Sequence, residues 1–502
     1  MNTVHRSLRW LFALGLIIGL SGCGRGCARK DAQLHRLLDR IEEFRLDNGM
    51  LWLLVERGDA PVFTGVVQVR VGGIDETPGK AGLAHMFEHM AFKGSREIGT
   101  TDPVQEEALF QQIRAVDQTL GAAAAAGHST EVERLAAERA RLAKAAQGFV
   151  VPNEVWKLLH DNGAAEVNAF TSKDITGYYA RLPTNMLELW MYLSANMVGH
   201  PVMREFYAER DVVMEERRTS VDNSPRGRMY EALLGTAFQV SPYRIMAIGS
   251  MPEIAGLTMA DAEQFHAAHY IPNQMVGILV GHFDRGAAKA AIRKYYGGLP
   301  AKLKQEREFP AEPEQLAERR VEIRFDAGAS VMLAYHKPPL PDRADYVFDA
   351  LQQILCEGET GRLRRRLEQE LQLARSVRCQ SGSPGGRLAN LFLIEAQPLE
   401  GHDPDEVIDA IEGELKRLRE VPVAISELAK ARTNLEADFL WGLNSNENLA
   451  QQLAYFQSVA GDWRYVVEHS TVMATITPEE VWKVAAAYLQ PTQRTVAVLR
   501  KP

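Results

Sequence analysis

The sequence predicts two related α+β domains, and three observations carry that prediction. The chain is 502 residues long, which at about 150 residues per domain leaves room for two to four. Apolar residues make up 46%, charged residues 24% and aromatic residues 8%, so most of the chain can bury a core. An internal repeat then narrows the count. Thr258 to Val280 aligns without gaps with Thr477 to Leu499, and Pro272 and Pro491 set the offset at 491 − 272 = 219 residues. Both segments read as a capped helix, a proline-marked turn and a terminal strand. The net charge of -8, from 57 basic and 65 acidic residues, argues against a nucleic-acid partner.

The first element is a leader. His5, Arg6 and Arg9 precede an apolar run from Trp10 to Leu20 and a small-residue exit at Ser21, Gly22 and Cys23. Such a run suits a secretory signal over residues 1–22; a membrane span needs about 20 apolar residues. Leu20-Ser-Gly-Cys23 resembles the bacterial lipobox, which would make Cys23 the lipidated first residue of the mature protein and residues 23–37 a tether. The expected location is the bacterial cell envelope, anchored by lipid. Gly24 after that cysteine, rather than Asp, favours the outer membrane, facing the periplasm.

The first domain is expected over 38–300. Strand patterns flank an Asp47-Asn48-Gly49 turn, with strands Met50–Val55 and Val62–Val71 and then a helix from Lys80 to Phe92. Residues 104–147, rich in Ala, Glu, Arg and Gln, read as an inserted helical hairpin broken near Gly127. Thr130 and Glu133 there form a capping-box pattern. Val167–Leu182 reads as strand, and 184–199 and 203–218 as helices. A charged, proline-containing linker spans 301–318. The second domain, 319–502, begins with strands over 319–336 and a helix over 343–357. Gly358–Gly361 and an Arg-rich helix follow. Arg362, Arg364, Arg365 and Arg366 either bind an acidic substrate or partner or form a solvated helix face. Cys356 and Cys379 either pair or stay buried and free.

The chemistry lies in His85-Met-Phe-Glu88-His89. Histidines four apart share one helix face and can share one ion, and Glu88 sits beside them. Two imidazoles and a nearby carboxylate meet the needs of a catalytic zinc, in the inverted order His-x-x-Glu-His. A third ligand is then required. Glu209 and Glu216 are seven apart and share a face, with Glu215 about 100° away around the axis. One of that pair can bind metal while the other orients a histidine, and spacing does not say which.

Arg70 to Ser95, Asn168 to Thr176 and Glu209 to Glu216 resemble the pitrilysin/insulinase family of zinc metallopeptidases, in the bacterial branch related to mitochondrial processing peptidase. The resemblance covers nearly everything after residue 40. It implies two homologous domains, each a mostly antiparallel sheet packed with helices, in a clam-like arrangement. It implies one Zn2+ per chain on His85, His89 and Glu216, with Glu88 as general base and Glu209 as the carboxylate that orients a histidine. It also implies that Asn168, Ala169, Phe170 and Thr171 lie on an edge strand where an extended peptide or unfolded segment adds as a further strand.

One departure stands out. Where complete members carry an Arg and, seven residues later, a Tyr, this chain has Glu368 and Arg375. The resemblance therefore implies a second family-like subunit, as a heterodimer or homodimer, that supplies the missing pair. A competing expectation is a non-catalytic peptide-binding or assembly subunit of the same fold.

Overall fold

The computed structural model describes residues 39–303 and 307–502; the leader, the tether and Cys23 lie outside the described residues. Two sheets organise the chain. The first contains β1 (Ile41–Arg45), β2 (Leu51–Glu56), β3 (Val62–Val69), β4 (Ala165–Thr171), β5 (Thr176–Pro183) and β6 (Met275–Gly281), in the order β1-β2-β6-β3-β5-β4. The second contains β7 (Arg319–Arg324), β8 (Ser330–Lys337), β9 (Ala374–Ser383), β10 (Asn390–Pro398) and β11 (Arg494–Arg500), in the order β7-β11-β8-β10-β9. With β1 set aside, the two orders match strand for strand. Each holds one parallel pair, β2 with β6 and β7 with β11, and its other pairs are antiparallel.

The repeat explains the match. Helix α6 (Met259–His269) and helix α9 (Pro478–Tyr488) each begin with a reciprocal cap, Thr258 with Asp261 and Thr477 with Glu480. Each then passes through a short 3-10 turn at its proline into an interior strand of its sheet, β6 or β11. Labels α1 to α5 fall on helices Leu83–Ala91, Pro103–Ala125, Ser129–Ala146, Phe206–Arg217 and Pro225–Ala237; α7 is Arg343–Cys356 and α8 is Asn446–Val459.

Several local expectations change. The strand expected over 167–182 is a hairpin, because Ser172 turns the chain: its hydroxyl accepts from the N–H groups of Asp174 and Ile175. Helix α1 starts at Leu83 rather than Lys80, since Gly82 sits at φ 94 and ends the preceding turn. The Thr130–Glu133 cap does not form. Helix α3 begins two residues earlier, with His128 at its N-cap, so Thr130 lies inside the first turn. The firm cap of the insertion is instead Asp102 on α2, followed by Pro103. The arginine cluster is paired within the chain: Arg362 with Glu427, Arg364 with Glu368, and Arg365 and Arg366 with Glu370. Cys356 and Cys379 form a disulfide that ties α7 to β9.

Each sheet packs one face on helices of its own half, giving two large cores. The opposite faces are covered by exchange. Helix α5, from the first half, lays Met229, Leu233 and Leu234 against Met332, Leu393 and Leu499 of the second sheet. Helix α8, from the second half, lays Leu449, Leu453 and Ala454 against Leu53, Val66 and Ile278 of the first. The buried Gln68 fixes that contact, its amide donating to the Ala454 carbonyl and the Ser458 hydroxyl, both at 2.7 Å. Each large apolar side chain covered this way stabilises by about 1.5–3 kcal/mol.

Candidate metal centre and peptide-binding edge

Helix α1 forms because Leu83, Met86, Phe87, Met90 and the two alanines at 84 and 91 bury one face against the first sheet's helices. Phe87 stacks on His266 and meets Tyr270 with ring centroids 4.3 Å apart. The other face carries His85, Glu88 and His89. Gly82 offers no side-chain cap, and the buried Glu76 takes that role, accepting from the N–H groups of Gly82 at 3.1 Å and Ala84 at 2.8 Å. Burial pushes its carboxyl up to about 8, against the pull of Lys173 and those N–H groups.

Helix α4 crosses this face with Glu209 and Glu216. The Glu216 carboxylate spans both rings, 3.6 Å from His85 Nε2 and 3.6 Å from His89 Nε2. One ligand atom from each of His85, His89 and Glu216 lies within 4.8 Å of the others. A spacing of 3.6 Å is too long for a hydrogen bond. It is close to the edge of about 3.3 Å between ligand atoms of a tetrahedral zinc with bonds of about 2 Å. Two imidazoles and one carboxylate in this arrangement fit a zinc site with its fourth position open. Glu215 stands apart, exposed and paired with Arg218 at 2.8 Å.

Glu209 meets the other side of the same ring, 3.3 Å from His89 Nδ1. Its second oxygen faces Lys93 Nζ at 2.5 Å, and Lys93 also donates to Glu205 at 3.0 Å. Burial works to raise the Glu209 carboxyl, but His89 and Lys93 outweigh it and hold it below the usual range. Glu216 is held low by the His89 ring beside it. The histidines diverge. Burial takes His85 down to about 4, whereas for His89 the burial effect is overcome by Glu209 and Glu216, which push it up to about 9.

Glu88 is raised by burial, with the Thr171 hydroxyl beside it holding the rise in check. Thr171 ends β4, the outermost strand on its side of the sheet. Asn168 and Ala169 of the same strand line a cavity of about 270 Å³ with Glu88, His89, Phe92 and Trp156. Phe92 and Trp156 stack at 4.7 Å to form an aromatic wall. Phe170 does not join the cavity lining: its ring lies on Gly177 of β5, where a Cβ would collide with it. Glu76 and Lys93 went unnoticed in the sequence. An acidic residue just before an uncapped helix was the available signal for Glu76; nothing local marks Lys93.

In the second domain, Glu368 accepts from the backbone N–H of Val377 at 2.8 Å and pairs with Arg364. Arg375 is exposed on β9.

Known proteins share this fold. The family model described as insulinase (peptidase family M16) matches residues 54–108 and 150–249, and the one described as peptidase M16 inactive domain matches residues 256–435. The chain belongs to the insulinase (M16) family. It is 26% identical over 507 residues to the zinc protease PqqE of Helicobacter pylori, covering 97% of this chain and 99% of that protein. The crystal structure of a protease from Helicobacter pylori superposes with a TM-score of 0.76 at 25% identity, covering 92% of this chain and 99% of that one. The fold also matches the periplasmic protease PqqL from Escherichia coli, TM-score 0.67 at 18% identity, over 92% of this chain and 48% of that one. Residues 109–149, between the two matched parts of the first domain, belong mostly to the α2–α3 hairpin.

Proposed function

We propose that the protein is a zinc-dependent endopeptidase acting on peptides or unfolded protein segments. The observation that carries this reading is the convergence of His85, His89 and Glu216 beside the half-buried Glu88, at the end of an open strand edge. His85, His89 and Glu216 would hold the ion, one per chain. Bound there, zinc supplies Lewis-acid polarisation of a peptide carbonyl and acidifies water.

The chain's own residues do the rest. Glu88, its carboxyl raised by burial, takes a proton from water and returns it to the leaving amine. Glu209 holds His89 through Nδ1, leaving Nε2 turned toward Glu216. Asn168, Ala169 and Thr171 offer the strand edge that an extended substrate joins, and the Phe92–Trp156 cavity receives one of its side chains. Glu88→Gln is expected to retain zinc at one per chain and lose cleavage of an unfolded protein substrate. Unchanged turnover in that variant would sink the mechanism.

A second family-like subunit, in a heterodimer or a homodimer, is proposed to complete the site. Glu368 is occupied with the Val377 backbone and cannot act as a cation toward substrate. The match to 48% of PqqL fits a chain that is one of two such units. The same substitution favours the second reading, a non-catalytic peptide-binding or assembly subunit. Zinc bound at one per chain, with no cleavage in any pairing, decides for it.

The proposed location is the periplasmic side of a bacterial outer membrane, through lipid on Cys23. The Cys356–Cys379 disulfide supports an oxidising compartment. Among the described residues no helix is long and apolar enough to cross a membrane. Metabolic labelling with a fatty acid, lost in Cys23→Ser, tests the anchor.

A further inference from the structure

The inserted hairpin is the part of the first domain that the function above leaves unused. Its outer surface is ordinary for a solvated helix pair, with Arg134 on Glu131 and Arg141 on Glu138. Its inner surface is not. Phe110, Ile113 and Leu142 enter the core of the first domain, and two polar anchors run from the hairpin to the chain at the start of helix α4.

The first anchor is Glu106 on α2, which grips Arg204 with both oxygens at 2.7 and 2.8 Å. Both side chains are almost completely buried, at 2% and 1% exposure. Arg204 also donates to the carbonyls of Lys93, Ser95 and Ile98, the loop that leaves helix α1. It thus ties the exit of the histidine helix to the entrance of the glutamate helix. Without Glu106, Arg204 would be a buried cation with no counter-charge among these partners.

The second anchor is Asp117, also on α2, which accepts from the Tyr207 hydroxyl. Arg139 of α3 reaches Asp117 at 3.4 Å and lies 4.2 Å over the Tyr207 ring, and Arg210 covers the ring at 5.0 Å. Tyr207 is two residues before Glu209. Between the anchors sits Glu205, whose carboxylate holds Lys93, which in turn holds Glu209 against His89.

We propose that the α2–α3 hairpin is a positioning element of the metal centre. It sets the rotation and placement of helix α4, so that Glu209 and Glu216 arrive together on the histidines of α1. This rests on the zinc reading above. It adds that affinity for the metal depends on residues of the insertion that touch neither the ion nor its ligands.

The test is metal binding rather than cleavage. Metal-free protein is titrated with zinc against a chromogenic chelator, and separately with cobalt(II), whose visible bands report ligand geometry. The parent should bind one ion per chain and His85→Ala should bind none; if the parent binds none, the zinc reading fails and the hairpin proposal falls with it. Tyr207→Phe, which removes one hydroxyl, and Asp117→Asn should each weaken zinc affinity about tenfold or more and alter the cobalt bands, as loss of an outer partner does elsewhere. Arg134→Ala, on the solvent side of the same hairpin, should change neither.

A merely structural hairpin predicts something different: lower melting temperatures, with affinity within twofold of the parent and unchanged cobalt spectra. That result in Tyr207→Phe would overturn the proposal. Should Asp117→Asn fail to fold, Tyr207→Phe still decides, because it keeps the ring between its two arginines.

Discussion

His85 and His89 sit one helical turn apart yet meet opposite electrostatic surroundings. His85 is buried and resists protonation; His89 lies between two carboxylates that favour its charged form up to about pH 9. In metal-free protein near neutral pH, His89 is therefore an imidazolium. A cation can bind only after it loses that proton, so affinity rises with pH through this range. For the fold the sign is the reverse. The His89 contribution to metal-free stability is full below about 6.5, its unfolded value, and fades as pH rises toward about 9. Zinc added at pH 7.5 in weak buffer should release about one proton per ion bound, and Glu209→Gln should lower that yield. No proton release from the parent would contradict the assignment. The spacing of His85, Glu88 and His89 was legible in the sequence because helical periodicity alone puts them together. Spacing alone did not choose between Glu209 and Glu216, since both share a face, and only the family resemblance did; the choice depends on how α4 crosses α1, which is set by contacts about 120 residues apart in the chain.

Among elements, the β4–β5 hairpin links the proposed peptide edge to the second domain. Its turn residue Asp174 is buried and accepts from the Tyr243 hydroxyl and the Gly386 N–H, both at 2.6 Å, and from the Arg387 N–H at 3.2 Å. Arg387 returns the contact by donating to Asp75 at 2.9 Å. Gly385 passes so close that a Cβ would strike the Asp174 carboxylate and the Tyr243 hydroxyl. Gly385→Ala should therefore destabilise the protein by about 1–3 kcal/mol and loosen β4. The expected readouts are a lower denaturant midpoint and weaker peptide binding in a Glu88→Gln background. A midpoint equal to the parent's would show that the loop yields freely. Alternation and turn residues made most strands visible in the sequence, and the Thr258 and Thr477 caps marked their helices correctly. The break at Ser172 was missed because Thr171-Ser-Lys-Asp carries no glycine or proline; a single hydroxyl turns the chain there.

At the scale of the molecule, the repeat showed that there are two similar units but not that they exchange helices. An apolar stripe on α5 or α8 states only that something covers it. The partner is fixed by topology, and α5 reaches the second sheet while α8 reaches the first. Neither half should then be stable alone. Fragments 39–300 and 319–502, each expressed singly, should aggregate or bind a hydrophobic dye, and together they should copurify as a folded pair. A soluble, cooperatively melting first fragment by itself would refute this. Domains usually fold in the order in which they are made. Here the outer face of the first sheet, with Leu53, Val66 and Ile278, stays bare until Leu449 and Leu453 have been synthesised. The segment bearing the histidines and glutamates is thus complete in covalent terms long before its sheet is covered, and helix α8, near the end of the chain, acts as its late-arriving chaperone.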